Sequence, residues 1–225
     1  ANGANSASGT ATDKAGNTAS ATVSGINIDG EVPTITGVNV AGGVYILGAV
    51  PGATCTASDS FSGLAGSCAV TVTGGTPNGV GTFFYTATAT DRAGNKGTTT
   101  GSYKVIYRFD GFLQPINDTA HQVGTSTSVF KGGSTIPVKF QLMQANGTVV
   151  AANTAPVWLT PAKGASMSLP VDESLYSATA DSGSTYRFDL TQYIYNWKTV
   201  TGGYYYRIGV TLDDGQTYYV NIGLR

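Results

Sequence analysis

The chain has 225 residues, only 11% of them charged, and a formal net charge of −1. This balance excludes the positive excess by which proteins attract nucleic acid or an anionic membrane surface. No apolar run approaches the ~20 residues needed to span a bilayer. The length predicts one to two domains. Abundant Gly, Thr, Ser, Tyr and Val without apolar positions at helical spacing predict an all-β fold.

A short motif near the start of the chain is repeated. Asp13-Lys-Ala-Gly-Asn17 returns as Asp91-Arg-Ala-Gly-Asn95, a spacing of 78 between Asp13 and Asp91 that is close to the size of one β-sandwich. Such a spacing indicates a tandem array. Residues 1–28 are predicted to be the last two strands of an incomplete repeat. Two strands cannot bury a face alone, so they must be disordered, pack on the next module or be completed by strands from elsewhere.

Residues 29–107 are predicted to form a complete module. Pro33 restricts the junction before it, which predicts a short, semi-rigid linker. Six short β-prone runs follow, and Tyr85, Ala87 and Ala89 alternate with threonines, as burial of one face requires. This pattern is typical of an immunoglobulin-like sandwich.

The two cysteines flank a Gly- and Ser-rich loop. We predict one disulfide between Cys55 and Cys68, and therefore an oxidising compartment. The alternative is two unrelated buried thiols.

Residues 108–225 are again patterned as strands. Ile136, Val138, Phe140 and Leu142 form one apolar face. Two further faces begin at Tyr206 and Tyr218, and Asp213-Asp-Gly-Gln216 is predicted to join them as a tight hairpin. The pattern predicts a second β-sandwich.

Two parts of the chain resemble known bacterial families. Residues 1–107 resemble bacterial immunoglobulin-like repeats in Tyr85-Thr-Ala-Thr-Ala-Thr-Asp-Arg-Ala-Gly-Asn95 and in Asp29-Gly-Glu-Val-Pro-Thr-Ile35. Residues 108–225 resemble the bacterial module called PxKF, after Pro137-Val-Lys-Phe140, with Tyr195-Asn-Trp-Lys198 as a later feature. The resemblance implies a bacterial protein that is secreted or on the cell surface. Members of the second family often carry a cysteine pair that is absent here.

Acidic residues point to one metal site. The turn before the last strand of such a sandwich lies beside the incoming linker, and it runs from Asp91 to Asn95. The linker carries Asp29 and Glu31, and alternating strand directions bring Asp59 to the same pole. Carboxylates beside Gly-rich backbone suit a hard cation, so we predict calcium bound by these five residues and clamping successive modules. The alternative is that Asp91 caps its own turn while Asp29 and Glu31 are solvated.

Catalytic arrangements are weakly supported. His121 is the only histidine, and neither Ser126 nor Ser128 lies in a nucleophile elbow. Adjacent acids at Asp172-Glu173 and Asp213-Asp214 do not resemble glycosidase pairs, which normally come from separate elements. We therefore predict that the chain is not an enzyme.

Aromatic residues crowd the last module and leave glycan binding open. Trp158, Trp197, Tyr205 and Tyr219 are the candidates for stacking on sugar rings. The alternative is that they are ordinary core and cross-strand residues of a sandwich.

The resulting hypothesis is an extracellular or cell-surface structural or adhesive segment. Its immunoglobulin-like modules would be spacers, and its last module a cap or a binding module for a glycan or a cell-surface ligand. Its partners would be neighbouring modules or copies of itself, including fibres formed by strand complementation. The alternative is an accessory carbohydrate-binding tail of a secreted polysaccharide hydrolase.

Overall fold

A computed structural model describes residues 2–116, 127–166 and 178–225. In these ranges the protein consists of β-strands, turns and loops, with no helix. None of the described segments therefore provides a helix long and apolar enough to cross a membrane. The predicted all-β class, with immunoglobulin-like β-sandwiches, is confirmed.

The strands are numbered in chain order. The first eight are β1 (Gly3–Thr12), β2 (Thr18–Ile28), β3 (Thr34–Val38), β4 (Val44–Ile46), β5 (Cys55–Ser58), β6 (Ala69–Gly74), β7 (Gly81–Thr90) and β8 (Lys96–Ile106). The next eight are β9 (Phe112–Leu113), β10 (Val129–Phe130), β11 (Thr135–Phe140), β12 (Val157–Ser166), β13 (Arg187–Phe188), β14 (Tyr193–Lys198), β15 (Tyr204–Thr211) and β16 (Thr217–Leu224).

The strands pair into sheets that are mostly antiparallel. β1 and β2 form a two-stranded sheet, and so do β3 and β5. The four-stranded sheets have the orders β4-β8-β7-β6, β10-β16-β15-β12 and β13-β14-β11-β9. Two short pairings are parallel, β4 with β8 and β10 with β16.

The chain divides into two compact units. The first comprises Ala1–Gly43, Pro51–Thr73 and Phe84–Tyr103, and the second comprises Val44–Val50, Gly74–Phe83 and Lys104–Arg225. The second unit takes up residues 74–83 partly because the Asn78 side chain donates to the Tyr107 hydroxyl and to the Ala151 carbonyl. The predicted boundaries after residues 28 and 107 do not coincide with this division and stay a prediction.

The core of the first unit follows the predicted alternation along β7. Tyr85, Ala87 and Ala89 are buried, whereas Thr90 is exposed. Tyr85 also lies against Gly101 of β8, where an added Cβ would overlap the tyrosine ring. A glycine at this position therefore lets a large aromatic side chain pack directly on the neighbouring strand.

The predicted disulfide is confirmed. Cys55 begins β5, Cys68 lies one residue before β6, and their Cα atoms are 5.7 Å apart. The bond therefore joins the two sheets of the immunoglobulin-like unit across a sequence separation of 13 residues.

Removing this disulfide is expected to destabilise the unit. Closing a loop of this length contributes roughly 3 kcal/mol in the chain-entropy account, so replacing both cysteines by serine should lower the denaturant midpoint. Dithiothreitol should shift the wild-type midpoint in the same direction and leave the double variant unchanged. Equal midpoints for wild type and variant would contradict the assigned role.

The second unit has an aromatic core between its two four-stranded sheets. The ring of Trp158 on β12 stacks on Tyr195 of β14, with centroids 4.5 Å apart and planes 9° apart. Phe140 of β11 stacks on Tyr193 and meets Tyr186 edge to face. Apolar positions that the sequence pattern assigned to inward faces are buried, among them Ile136, Val138, Ile208, Val210, Val220, Ile222 and Leu224.

Candidate functional site: three converging carboxylates

Three aspartates from separate segments meet in the first unit. Asp29 follows β2 in the linker, Asp59 follows β5, and Asp91 follows β7. One carboxylate oxygen of each lies within 4.8 Å of those of the other two. Asp91 is the most enclosed, with 1% of its surface exposed. The structure thus brings together three of the five residues predicted to bind a metal.

Asp91 is oriented by the turn that it begins. Its Oδ1 accepts a hydrogen bond from the Asn95 N–H at 2.8 Å, and its Oδ2 accepts one from Asn95 Nδ2 at 2.8 Å. The Asp91 N–H donates to the Asn95 carbonyl at 3.1 Å. These contacts match the alternative reading that Asp91 caps its own turn. They also fix the direction in which its remaining lone pairs point.

Asp29 is held by donors from its own linker and from the loop after β5. The pKa of Asp29 is lowered, and the Ser62 side chain has the largest effect. Burial acts in the opposite direction and raises the pKa, whereas the backbone N–H groups of Glu31 and Ser62 lower it further. The firm contacts are the two N–H groups, at 3.0 Å and 3.1 Å, because Ser62 Oγ makes no hydrogen bond of regular geometry with any described residue. The lowered pKa means that the folded state favours the ionised carboxylate of Asp29; the stability this contributes is present above the ordinary aspartate pKa and is lost as the pH falls through the depressed value.

Asp59 closes a tight loop beside the other two carboxylates. Its Oδ1 accepts hydrogen bonds from the N–H groups of Phe61 and Gly63, at 3.2 Å and 2.8 Å. The same loop is tied to the Asp91 turn, because the Arg92 N–H donates to the Gly63 carbonyl at 3.0 Å. Loop and turn therefore hold the acids side by side.

The three side chains fit a hard cation. Calcium binds oxygen ligands at about 2.3–2.6 Å, so two ligands on opposite sides of one ion lie at most about 5 Å apart. The mutual distances here meet that limit. Three negative charges brought this close repel one another, and a divalent cation would relieve that repulsion. Calcium would supply charge neutralisation and a bond between the linker and two loops of the unit.

The other two predicted ligands have different positions. Glu31 is exposed and lies outside the cluster; its Oε1 accepts a hydrogen bond from Asn2 Nδ2 at 2.9 Å. Glu31 lies two residues after Asp29, and its carboxylate is directed at Asn2 and away from the other acids. Asn95 directs its amide nitrogen to Asp91 Oδ2 and, at 3.1 Å, to the Asp29 carbonyl. It therefore positions the acids through Nδ2.

The first hairpin contains the same turn without the acidic neighbours. Asp13 accepts from the Asn17 N–H at 2.9 Å and from Asn17 Nδ2 at 2.8 Å, as Asp91 does from Asn95. Asp13 is exposed, and no other described carboxylate joins it in a cluster. The repeated motif therefore builds the turn, whereas the linker and loop acids make the cluster.

Gly97 of β8 sets the position of the linker. A Cβ at this residue would overlap the backbone carbonyl of Pro33. Pro33 lies four residues after Asp29 and is buried. Because the obstructing atom belongs to the backbone, the linker itself must shift to accept a side chain.

Gly97→Ala is therefore expected to destabilise the first unit by about 1–3 kcal/mol, as overpacking does, and to weaken calcium binding. Thermal unfolding with and without calcium measures both effects. Gly9→Ala is the matched control, because Gly9 lies on β1 and has nothing within 4 Å of an added Cβ. If both variants unfolded like the wild type, the linker would not be fixed by Gly97.

The residues predicted to bind glycan are split between core and surface. Trp158 is 9% exposed and Trp197 is 7% exposed, and their ring centroids lie 5.9 Å apart inside the second unit. Neither indole is available to stack on a sugar, which corrects that part of the prediction. Tyr205 is half-buried on β15, and Tyr219 on β16 is exposed.

The residues considered as catalytic candidates do not form an active site within the described ranges. Asp118, His121, Ser126 and the Asp172-Glu173 pair lie outside the described residues. Ser128 is buried, and its hydroxyl donates to the Pro115 carbonyl at 3.3 Å.

The Asp213-Asp214 pair does form the predicted hairpin turn, and it has an additional structural role that the pattern did not indicate. Asp214 is buried and accepts from the N–H groups of Tyr107 and Gln216, at 2.9 Å and 2.8 Å. Burial raises the pKa of Asp214, and these donors partly offset it. Asp213 accepts from the Thr154 N–H at 2.9 Å. The two aspartates therefore connect the backbone at Tyr107 and at Thr154 to the hairpin.

Comparison with known proteins gives structural matches alone. No protein-family model and no curated protein matches the chain. Solved structures that it resembles include a chimeric titin Z1Z2 (13% identity, TM-score 0.25, covering 88% of this chain and 99% of that one). Domains 4 and 5 of the S-layer protein SbsC match at 13% identity and TM-score 0.26, covering 96% and 88%. A Ca²⁺-stabilized ice-binding adhesin of an Antarctic bacterium matches at 17% and 0.23, covering 99% and 56%. Likenesses at this level carry no conclusion about function.

Proposed function

We propose that the chain is a non-catalytic, extracellular structural or adhesive segment of the bacterial immunoglobulin-like repeat type, ending in a PxKF-type module. Its immunoglobulin-like modules serve as spacers, and calcium bound by Asp29, Asp59 and Asp91 fixes the linker between successive modules. The last module is a cap or a binding module.

The convergence of the three carboxylates is the observation that carries this proposal. One comes from the linker, one from the loop bounded by the cysteines and one from the turn before β8. A cation shared by these segments would resist their separation when the chain is pulled. A spacer benefits from such a bond, because a linker held at one angle transmits force without bending.

The internal repeat supports the array. β1 and β7 span Gly3–Thr12 and Gly81–Thr90, and β2 and β8 span Thr18–Ile28 and Lys96–Ile106. Every one of these bounds recurs 78 positions later, with the same turn between the strands. Two hairpins of equal length at the spacing of one sandwich are typical of tandem modules.

The first hairpin supports the proposal of strand complementation. Both of its strands are almost fully exposed, including Val23 and Ile28, and among the described residues no third strand pairs with either edge. Open edges accept an added strand from another chain. Light scattering should therefore show concentration-dependent oligomers for the wild type and fewer for a Val23→Lys variant. A wild-type chain that stays monomeric at high concentration would remove complementation from the proposal.

Single-molecule pulling from the two ends tests the spacer function. In calcium the first unit should unfold at a higher force than in chelator, because the ion must be released before the linker leaves the loops. The second unit serves as an internal reference in every trace, because the three acids lie in the first unit. Asp91→Asn should abolish the calcium effect on force. Equal unfolding forces in calcium and chelator would overturn the proposed clamp.

A second candidate function, glycan binding by the second unit, is favoured by one surface. Tyr219 keeps an exposed ring on β16, beside an exposed Arg207 on β15. It is compatible with the spacer function, since one chain can both extend from a surface and attach to a polymer.

A further inference from the structure

We infer that the outer face of the sheet β10-β16-β15-β12 binds an acidic polysaccharide, with Tyr219 as the stacking surface and Arg207 as the partner of a sugar carboxylate. This deepens the second candidate function by naming the chemistry of the glycan. It does not depend on the calcium cluster, whose residues lie in the first unit.

Tyr219 packs closely against the sheet because its neighbour on the adjacent strand, Gly209, has no side chain. Gly209 is its cross-strand partner, and a Cβ at Gly209 would lie 2.7 Å from Cδ1 of the Tyr219 ring. The ring therefore lies across β15, yet Tyr219 remains 41% exposed. A planar ring fixed in this way offers a surface for the apolar face of a pyranose, at little cost in side-chain freedom.

Arg207 supplies the charge. Its guanidinium carbon lies 5.3 Å from the centre of the Tyr219 ring. The ion pairs among the described residues are Arg108 with Asp110 and Arg187 with Asp181, so Arg207 has no carboxylate partner there. Stacking beside an aromatic ring leaves the planar donors of a guanidinium free for bidentate bonds to a carboxylate.

The residues around Arg207 and Tyr219 favour an anionic group attached to a compact ring that has an apolar face. Leu159, Thr160 and Ala162 of β12 complete a shallow groove with Arg207 and Tyr219. β12, β15 and β16 contain no Asp or Glu, so nothing on these strands repels a negative ligand. A sugar ring bearing a carboxylate matches the groove, the ring and the single cation together. One arginine is too little charge for a nucleic-acid backbone, whose binding requires several neutralised phosphates.

Affinity electrophoresis of the 225-residue chain tests this inference. Gels contain polygalacturonate, neutral dextran or single-stranded DNA, with chelator throughout so that calcium neither gels the polyuronate nor loads the aspartate cluster. We expect retardation by polygalacturonate alone, and weaker retardation at high salt because screening acts on an exposed charge. Equal retardation by dextran would preserve glycan binding and overturn the acidic preference. Retardation by DNA, or by no polymer, would overturn glycan binding at this face.

Two variants and two matched controls locate the site. Tyr219→Ala should weaken binding roughly three- to tenfold through the lost stacking, and Arg207→Gln about tenfold or more through the lost charge-assisted bonds. Phe84→Ala and Lys104→Gln remove an exposed aromatic and an exposed cation elsewhere on the surface and should leave retardation unchanged. Circular dichroism confirms that each variant is folded. Folded Tyr219 and Arg207 variants that bind like the wild type would overturn the assignment.

Discussion

Calcium is expected to raise the unfolding temperature of the first unit by about 10 °C or more when its concentration is a hundredfold above the dissociation constant. Binding to the folded state alone then contributes about 2.7 kcal/mol, and each kcal/mol shifts the midpoint of a small domain by roughly 4–8 °C. Asp91→Asn should abolish the shift. It removes one of three charges while keeping a side chain of the same shape at the most enclosed position of the cluster. Differential scanning calorimetry in calcium and in chelator measures the effect.

Asp13→Asn is the matched control for that experiment. Asp13 begins the same turn with the same hydrogen bonds from Asn17, but it belongs to no cluster of described acids. Its variant should keep the full calcium shift. If Asp13→Asn and Asp91→Asn lost the shift equally, calcium would act on the turn motif in general, and the convergence of Asp29, Asp59 and Asp91 would have no special role.

Trp158→Ala is expected to destabilise the second unit by about 3–5 kcal/mol, the range found for truncation of a large buried aromatic. Trp158 stacks on Tyr195 and also contacts Tyr186 and Trp197, so its removal opens a cavity between the two sheets. Trp158→Phe should recover much of the loss because a ring remains. Denaturant unfolding followed by near-ultraviolet circular dichroism reports this aromatic cluster directly.

Tyr219→Ala serves as the contrasting variant on the same sheet. Its side chain is on the outer face, so its truncation should change the free energy of unfolding by much less than that of Trp158. A Trp158→Ala protein as stable as the wild type would show that the indole is not a core residue, and would reopen its assignment to a glycan surface.

The acidic cluster could be predicted from sequence because topology alone determines it. A repeat of sandwich length fixes where the turn at Asp91 and the linker at Asp29 must lie, and the disulfide-bounded loop follows from strand alternation. Side-chain direction is not available from this reasoning. Glu31 is close in sequence yet turned to Asn2, and Asn95 contributes its amide nitrogen to the acids.

Trp158 was harder to place because β12 does not keep a regular period. Its pairing with β15 shifts register between Leu159 and Ala162 and again between Lys163 and Ser166. Alternation along β15 and β16 is regular, and the inward faces predicted to begin at Tyr206 and Tyr218 leave Tyr205 and Tyr219 on outward positions. The importance of Gly209 was not visible in sequence, because it depends on the partner that the register places opposite.

Asp214 shows a different limit. An Asp-Asp-Gly hairpin indicates a turn, and the turn is present between β15 and β16. Nothing in the local pattern shows that the Asp214 carboxylate would be buried and would accept a hydrogen bond from the Tyr107 N–H, more than a hundred residues earlier. Long-range hydrogen bonds to a buried acid can be identified only from the three-dimensional structure.

Isothermal titration of the metal-free chain with calcium is the decisive test of the proposed calcium site. We expect one ion bound per chain at the cluster of Asp29, Asp59 and Asp91, with binding lost in Asp91→Asn and retained in Asp13→Asn. An unchanged binding isotherm in Asp91→Asn, or no binding heat for the wild type at any temperature tried, would contradict it.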